Sequence, residues 1–292
     1  MRLKQGRLAL LFLLPYILIF SVFRLIPSIG GLGVSFFDWS LGGSPTLNDG
    51  ANYSRLITDD KFWTSVKNTL EFFVLTVPVL VVISLLFAVL VNEKLKGRNV
   101  VRALSIIPFV LIPAIVGIMW NWLYDNNFGL FNYYLKRVGF GPVHWLTDEK
   151  VALIAVSIVV VWTYVGYNMV LFLAGLQGIS TELSEAAAVD GASRWQTFRF
   201  ITLPLLRPVT MMVTTLTMIN VVQLFDQIYV MTNGGPGTST LTLVQYMYSS
   251  AFGDFELGYG STIEVAILVM LLLLILIQNV VGNRRTRKEM AR

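Results

Sequence analysis

Six long apolar runs, separated by short polar stretches, constrain this chain more than any other feature. They lie at residues 8–30, Thr69–Val91, Ala103–Tyr124, Val151–Ala174, Leu205–Met231 and Gly260–Val281. About 20 consecutive apolar residues in a helix cross the hydrocarbon core of a bilayer. In that core only helices and closed barrels satisfy their own backbone groups, so runs of this length read as spanning helices. Composition points the same way. Of the 292 residues, 55% are hydrophobic and 13% are charged, whereas a soluble domain carries about 25% charge. The expected fold is an all-α membrane protein with six transmembrane helices, forming a single domain over residues 1–292.

Details of the runs sharpen the expectation. The first follows Arg2, Lys4 and Arg7. It is long for the core of a secretory signal and no A-x-A-like cleavage site follows it, so it reads as an uncleaved span. Arg24, late in this run, is expected to snorkel to the interface. Pro78 falls in the second run, and Pro108 and Pro113 in the third, which neighbouring helices can tolerate. Trp120, Trp122 and Tyr124 close the third run and read as an interfacial aromatic belt. The Gly-Pro-rich stretch Asn233–Thr240 ends the fifth.

Lys and Arg set the orientation, because they collect on the cytoplasmic side. One side carries fifteen, in four groups: the N-terminus, the loop Asn92–Arg102, the stretch after the fourth run, and the tail. The other carries six: Arg55, Lys61, Lys67, Lys136, Arg137 and Lys150. Both termini are therefore expected in the cytoplasm. The same asymmetry accounts for the net charge of +5, so no nucleic-acid partner is expected.

Several chemistries are excluded. The chain has no cysteine and one histidine, His144 in a Gly-Pro loop, which removes disulfides, thiol catalysis and Cys-based or multi-histidine metal sites. A phosphate-cradling G-x-x-x-x-G-K-[ST] loop needs a Gly-Lys pair, and the sequence has none. G-x-S-x-G and H-E-x-x-H are absent too. An energy source, if one is used, belongs to another chain. Asn52-Tyr53-Ser54 fits a glycosylation acceptor pattern, a short motif.

Polar residues inside the apolar runs are candidates for a solute pathway. Asn220, Gln223 and Gln227 are spaced by three and four, which places them on one helix face. Asp226 and Tyr229 lie near the same end. Such a stripe suits either a polar solute or hydrogen bonds between helices. Tyr164, Tyr167 and Asn168 form a similar group in the fourth run, weighted towards packing. Glu264, early in the sixth run, is a second intramembrane acid.

One polar island, Glu182–Pro208 within the loop 175–208, stands apart. Thr181 or Ser184 is expected to cap a short helix over Glu185–Val189, with Glu182 and Glu185 favourable near its start. Gly191 is expected to end it in left-handed geometry. A second short helix is expected over about Ser193–Phe200, with Trp195, Phe198 and Ile201 on one face. Pro204 marks the start of the fifth run. The small Ala186, Ala187 and Ala188 allow close approach to a groove on another protein.

The island also carries a long fixed spacing. Glu185-Ala186-Ala187, then three residues, Gly191, then nine residues, and Ile201-x-Leu203-Pro204 resembles the EAA loop of binding-protein-dependent ABC importer permeases. A second stretch, Phe225-Asp226-x-Ile228-x-x-x-Thr232-x-Gly234-Gly235-Pro236, resembles the carbohydrate-uptake branch, the maltose and glycerol-3-phosphate permease family. Asn52-Tyr53 through Asn68-Thr69 is similar to the same branch. Ile263-Glu264-Val265 departs from it, since small or apolar residues are usual there.

The resemblance implies a machine. A second, usually non-identical permease subunit completes the pore, and two ATPase subunits bind ATP and Mg beneath it. An extracytoplasmic binding protein delivers a disaccharide, oligosaccharide or glycerol-phosphate-type solute. It implies no cofactor on this chain, a bacterial or archaeal inner-membrane location, and an ATPase-coupling role for Glu185, Ala186, Ala187, Asp190, Gly191, Ile201, Leu203 and Pro204. Two competing readings are a stand-alone secondary transporter or channel, which would need its own ion-coupling site, and an intramembrane enzyme using Asp226 and Glu264.

Overall fold

The computed structural model describes residues 12–40, 42–93 and 96–290, with side chains to residue 282. Residues 8–11, Lys94, and the side chains of the basic N-terminus and tail lie outside the described residues. Five helices are long and apolar enough to cross a membrane: Phe12–Val34, Asp60–Asn92, Ala152–Gln177, Arg207–Met231 and Leu257–Gly282. A sixth candidate is a bent pair, Arg98–Val110 with Pro113–Leu123. The chain divides into two compact units, residues 1–62 with 246–268, and residues 63–245 with 269–292.

In the first unit, α1 (Phe12–Val34) contains a π-turn at Ser21–Leu25 and buries none of its apolar window. A two-residue hairpin pairs β1 (Phe37–Asp38) with β2 (Thr46–Leu47) antiparallel. The start of the last helix packs on this hairpin: Gly258 N donates to Trp39 O at 3.1 Å. A Cβ on Gly258 would lie 2.0 Å from Phe37 O, so only glycine fits. Asn52, on α2 (Ala51–Thr58), donates its side-chain amide to Ser35 O and Phe37 O at 3.1 and 3.0 Å. The nitrogen that the glycosylation pattern singled out is therefore a structural tie.

In the second unit, α3 (Asp60–Asn92) carries Pro78 in its interior. The third expected span does not run straight. α4 (Arg98–Val110) and α5 (Pro113–Leu123) meet at 99°. The cause is local. Pro disfavours helical geometry in the residue before it, and Ile112 is extended with ψ 125°, as is Leu111 with ψ 148°. Pro113 then starts α5 at a position where its missing N–H is not needed.

The expected aromatic belt is corrected as well. Trp122 is 62% exposed, but Trp120 is 7% and Tyr124 is 3% exposed. Those two rings turn inward and pack with Phe131 of α6 (Leu130–Arg137), Trp145 and Trp162 at centroid distances of 5.2 to 5.7 Å. Spacing along α5 places 120 and 124 on one face and 122 on the other.

α7 (Ala152–Gln177) is the most buried span and organises the unit. It meets α4 at Gly166, where an added Cβ would lie 1.8 Å from Ser105 O. It meets α10 (Arg207–Val222) at Gly175, where a Cβ would lie 2.8 Å from Val209. Small residues are what allow spanning helices to approach this closely. Asn168 adds a buried hydrogen bond to Thr217 Oγ1 at 2.7 Å. α10 ends at Val222, and α11 (Asp226–Met231) resumes after a three-residue break. α12 (Leu243–Tyr248) and α13 (Leu257–Met290) complete the chain.

Candidate functional site

The polar island folds as two short helical pieces outside the long helices. α8 (Thr181–Val189) is capped by Ser180, whose Oγ accepts from Glu182 N, and not by Thr181 or Ser184 as expected. The helix thus starts earlier than the sequence suggested. Its end is as expected: Gly191 sits at φ +81°. Gly191 N donates to Ala188 O at 3.1 Å and Ala192 N to Ala187 O at 2.9 Å, the paired closing bonds of a Schellman motif.

α9 (Arg194–Thr197) opens with a reciprocal cap between Ser193 and Gln196. It is half the expected length, because a π-turn, Phe198–Thr202, replaces its second half. Trp195 and Phe198 still pack together, with tilted rings 5.7 Å apart. Pro204 lies in the one-turn helix Leu203–Leu205.

The exposure of α8 is its main property. Every residue from Thr181 to Val189 is exposed except Ala187. Val189 is 88% exposed, and Leu183, Trp195 and Phe200 are exposed nearby. Glu185, Ala186, Asp190 and Gly191 all face outward, while Ile201 and Leu203 are half-buried and Pro204 is exposed. An isolated nine-residue helix is marginal in water, and one with a single buried alanine gains little from its own chain. These apolar groups are left uncovered by the described residues.

The island is nonetheless anchored to the spans behind it. Leu206 is fully buried among Ala88 and Val91 of α3, Phe172 and Leu176 of α7, and Val213 of α10. Arg207 donates to Gly282 O of α13, and Arg102 of α4 donates to Val91 O at 3.0 Å. The loop thus ends on one packed junction of α3, α7 and α10.

The second candidate site is the polar group of the fifth span. The single face expected for Asn220, Gln223 and Gln227 does not form, because the helix breaks between Val222 and Asp226. Gln223, Asp226 and Tyr229 are exposed, and Asn220 is half-buried. Gln227 points the other way. It is 1% exposed, and neither its Oε1 nor its Nε2 has a hydrogen-bond partner among the described residues. Beside the exposed group stand aromatic rings: Phe225 stacks on Tyr229 at 5.1 Å, and Phe109 stacks on Tyr167 at 4.5 Å and meets Tyr164 edge-on at 5.6 Å. Asp226 lies within electrostatic range of Tyr164. Asn168 is not part of this wall but of the α7–α10 contact.

The sequence family described as "binding-protein-dependent transport system inner membrane component" matches residues 61–287. This chain belongs to that family. Among similar proteins, the trehalose/maltose transport system permease protein MalF of Thermococcus litoralis is 35% identical over 285 residues, covering 97% of this chain and 96% of the relative. The arabinooligosaccharides transport system permease protein AraP of Bacillus subtilis is 36% identical over 270 residues, 91% of this chain and 86% of the relative. The fold matches a chain in the crystal structure of a bacterial ABC transporter involved in alginate import. That match has a TM-score of 0.84 over 97% of both chains, at 24% identity.

For this inner membrane component, one functional-looking group escaped the sequence reading. Asp59 Oδ2 accepts hydrogen bonds from both Tyr246 and Tyr259 hydroxyls, and Oδ1 caps α3 by accepting from Lys61 N and Phe62 N. Arg55 lies 3.9 Å over the Tyr259 ring and pairs with Glu256 at 2.8 Å. Burial raises the Asp59 pKa, but the four hydrogen bonds outweigh it and hold the carboxyl below its usual range. No local motif announces such a cluster, since Asp59 and Tyr259 alone are 200 residues apart.

Proposed function

We propose that this chain is the permease subunit of an ATP-driven, binding-protein-dependent sugar importer. It is read as one permease domain of six spans with both termini in the cytoplasm of a bacterial or archaeal cell, multi-pass in the inner membrane. A second permease subunit completes the pore. Two ATPase subunits hydrolyse ATP with Mg, and α8 docks on one of them. An extracytoplasmic protein delivers the solute.

The observation that carries this reading is α8 itself, a helix with nearly every side chain exposed, in a loop whose later end is anchored at Leu206 among α3, α7 and α10. Closure of the ATPases would push α8, and the junction would pass that motion to α3, α7 and α10, which is the rigid-body rocking of alternating access. Glu185, Asp190 and Gly191 form the docking end, and Ile201, Leu203 and Pro204 the arm. The substrates that the relatives are named for, trehalose and maltose or arabinooligosaccharides, support a saccharide as cargo.

The solute wall is assigned to Gln223, Asp226 and Tyr229 with Asn220 at its margin. Aromatic faces of Phe109, Tyr164, Tyr167 and Phe225 suit sugar rings, and the carboxylate and amides suit hydroxyls. The chain has no natural cysteine, so single cysteines at 220, 223 and 226 report directly. We expect polar thiol reagents to reach them in at least one transport state, with sugar protecting. Inaccessibility in every state would remove the assignment.

A further inference from the structure

The loop that carries α8 does not lie flat on the spans. A cleft of about 420 Å³ opens between them. Asn92 and Glu93, at the end of α3, form one wall. Ser184 and Ala188 of α8 and Arg194 of α9 form the other.

Four features make this cleft a joint. First, Ser184 and Ala188 are spaced by four and share one face of α8. Both line the cleft and both are exposed, so α8 stands off from the spans on this side. Second, Val89, Leu176 and Phe198 give the cleft an apolar lining. Narrowing it would take apolar surface out of water, which is favourable. Third, the far end of the loop is fixed. Leu206 is fully buried among α3, α7 and α10, and the π-turn Phe198–Thr202 lies between it and the α9 wall. The loop is thus held at one end and open at the other. Fourth, Glu93 and Arg194 carry opposite charges on opposite walls. Both are exposed, and among the described residues neither side chain makes an ion pair or a hydrogen bond.

We propose that Glu93 and Arg194 are positioning residues that pair across this cleft when it narrows, holding α8 against the ends of α3 and α7 in one state of the transport cycle. The proposal rests on the importer reading above, in which ATPase closure pushes α8. Both partners belong to this chain, so no other subunit has to supply a charge. An exposed ion pair contributes little, which suits a latch that must release in every cycle. It biases a population without locking it.

The chain has no natural cysteine, so spin labels at positions 92 and 184, on opposite walls, report the width of the cleft. In the complete transporter in lipid nanodiscs, their separation is expected to shorten when a non-hydrolysable ATP analogue binds the ATPases. Glu93→Gln and Arg194→Gln are each expected to lower the ratio of narrow to wide cleft about two- to fivefold, and sugar moved per ATP should fall with it. The double Gln variant should lose no more than either single one, as for two residues acting through one contact. Glu93→Arg with Arg194→Glu should restore both readouts, a rescue that a merely structural role would not give. High salt should remove the advantage of wild type over the Gln variants. A separation that nucleotide leaves unchanged in a coupled transporter would overturn the proposal. So would wild-type populations in the Gln variants, additive losses in the double one, or a folded charge swap without rescue. If the swap misfolds, the Gln series decides alone. Any of these negative results with wild-type coupling intact removes the latch only, whereas a wild-type transporter without ATP-coupled uptake removes the importer reading and the latch with it.

Discussion

Gly191 is the sharpest point at which to perturb α8, the proposed docking helix. It holds φ +81°, and an added Cβ would meet nothing within 4 Å. Substitution by alanine therefore introduces backbone strain without a clash. A residue with a Cβ in left-handed geometry costs about 1–2 kcal/mol, a factor of about 5–30 in the ratio of correctly closed to frayed ends. The penalty falls on a nine-residue helix with one buried side chain, so little else resists it. Asparagine tolerates this geometry better and should keep most of the closed end. Arginine adds the same strain and a long side chain on the docking surface. The assay is coupling in the reconstituted transporter: sugar moved per ATP hydrolysed, with and without binding protein. The expected order is wild type, Gly191→Asn, Gly191→Ala, and Gly191→Arg with coupling abolished while the protein still inserts. Wild-type coupling in Gly191→Arg would refute the reasoning outright. Equal losses for Asn and Ala would show that left-handed geometry is not the cause.

Other expectations follow from single contacts. At Gly166, a methyl group would meet Ser105 O at 1.8 Å, so Gly166→Ala should force α4 and α7 apart and destabilise by about 1–3 kcal/mol, read as a lower thermal midpoint in detergent; an unchanged midpoint would contradict the packing. Gln227→Met removes two unpaired buried polar groups at nearly constant volume, and should raise that midpoint; a fall would mean the amide has a partner in the assembled transporter. Asp59 is held below its usual range, so the stability it contributes is present above its unfolded pKa of about 3.9 and is lost as pH falls through the lower folded value. Asp59→Asn should flatten stability on that acid limb. Tyr246, pushed up to about 12 by burial and then by Asp59, contributes stability present below about 10 and lost as pH rises through 12, a loss that Tyr246→Phe should abolish.

The helices were legible because apolar runs of spanning length leave few other solutions. The loop that carries α8 was legible at Gly191, where the chain needs left-handed geometry, but not at its cap, because Ser180, Thr181 and Ser184 all have the chemistry and only the chain path selects Ser180. The sequence reads Pro108 and Pro113 as tolerated within one spanning run and so misses the bend; its 99° size depends on how α5 packs on its neighbours, as at Gly117, where a Cβ would lie 2.9 Å from Val230. Trp120 and Tyr124 look interfacial by position and are core by the face they occupy. The break after Val222 has no proline or glycine to mark it, so the amide stripe read as continuous while Gln227 in fact turns inward. Asp59 with Tyr246 and Tyr259 could not be seen at all, since tertiary proximity of distant residues leaves no trace in local pattern.

The most direct test of the account is sugar uptake into proteoliposomes assembled from defined parts. Uptake is expected only when this chain, the second permease, the ATPases, ATP on the ATPase side and the binding protein on the opposite side are all present, with Gly191→Arg silent. Uptake by this chain alone under an ion gradient, without ATP, would contradict it.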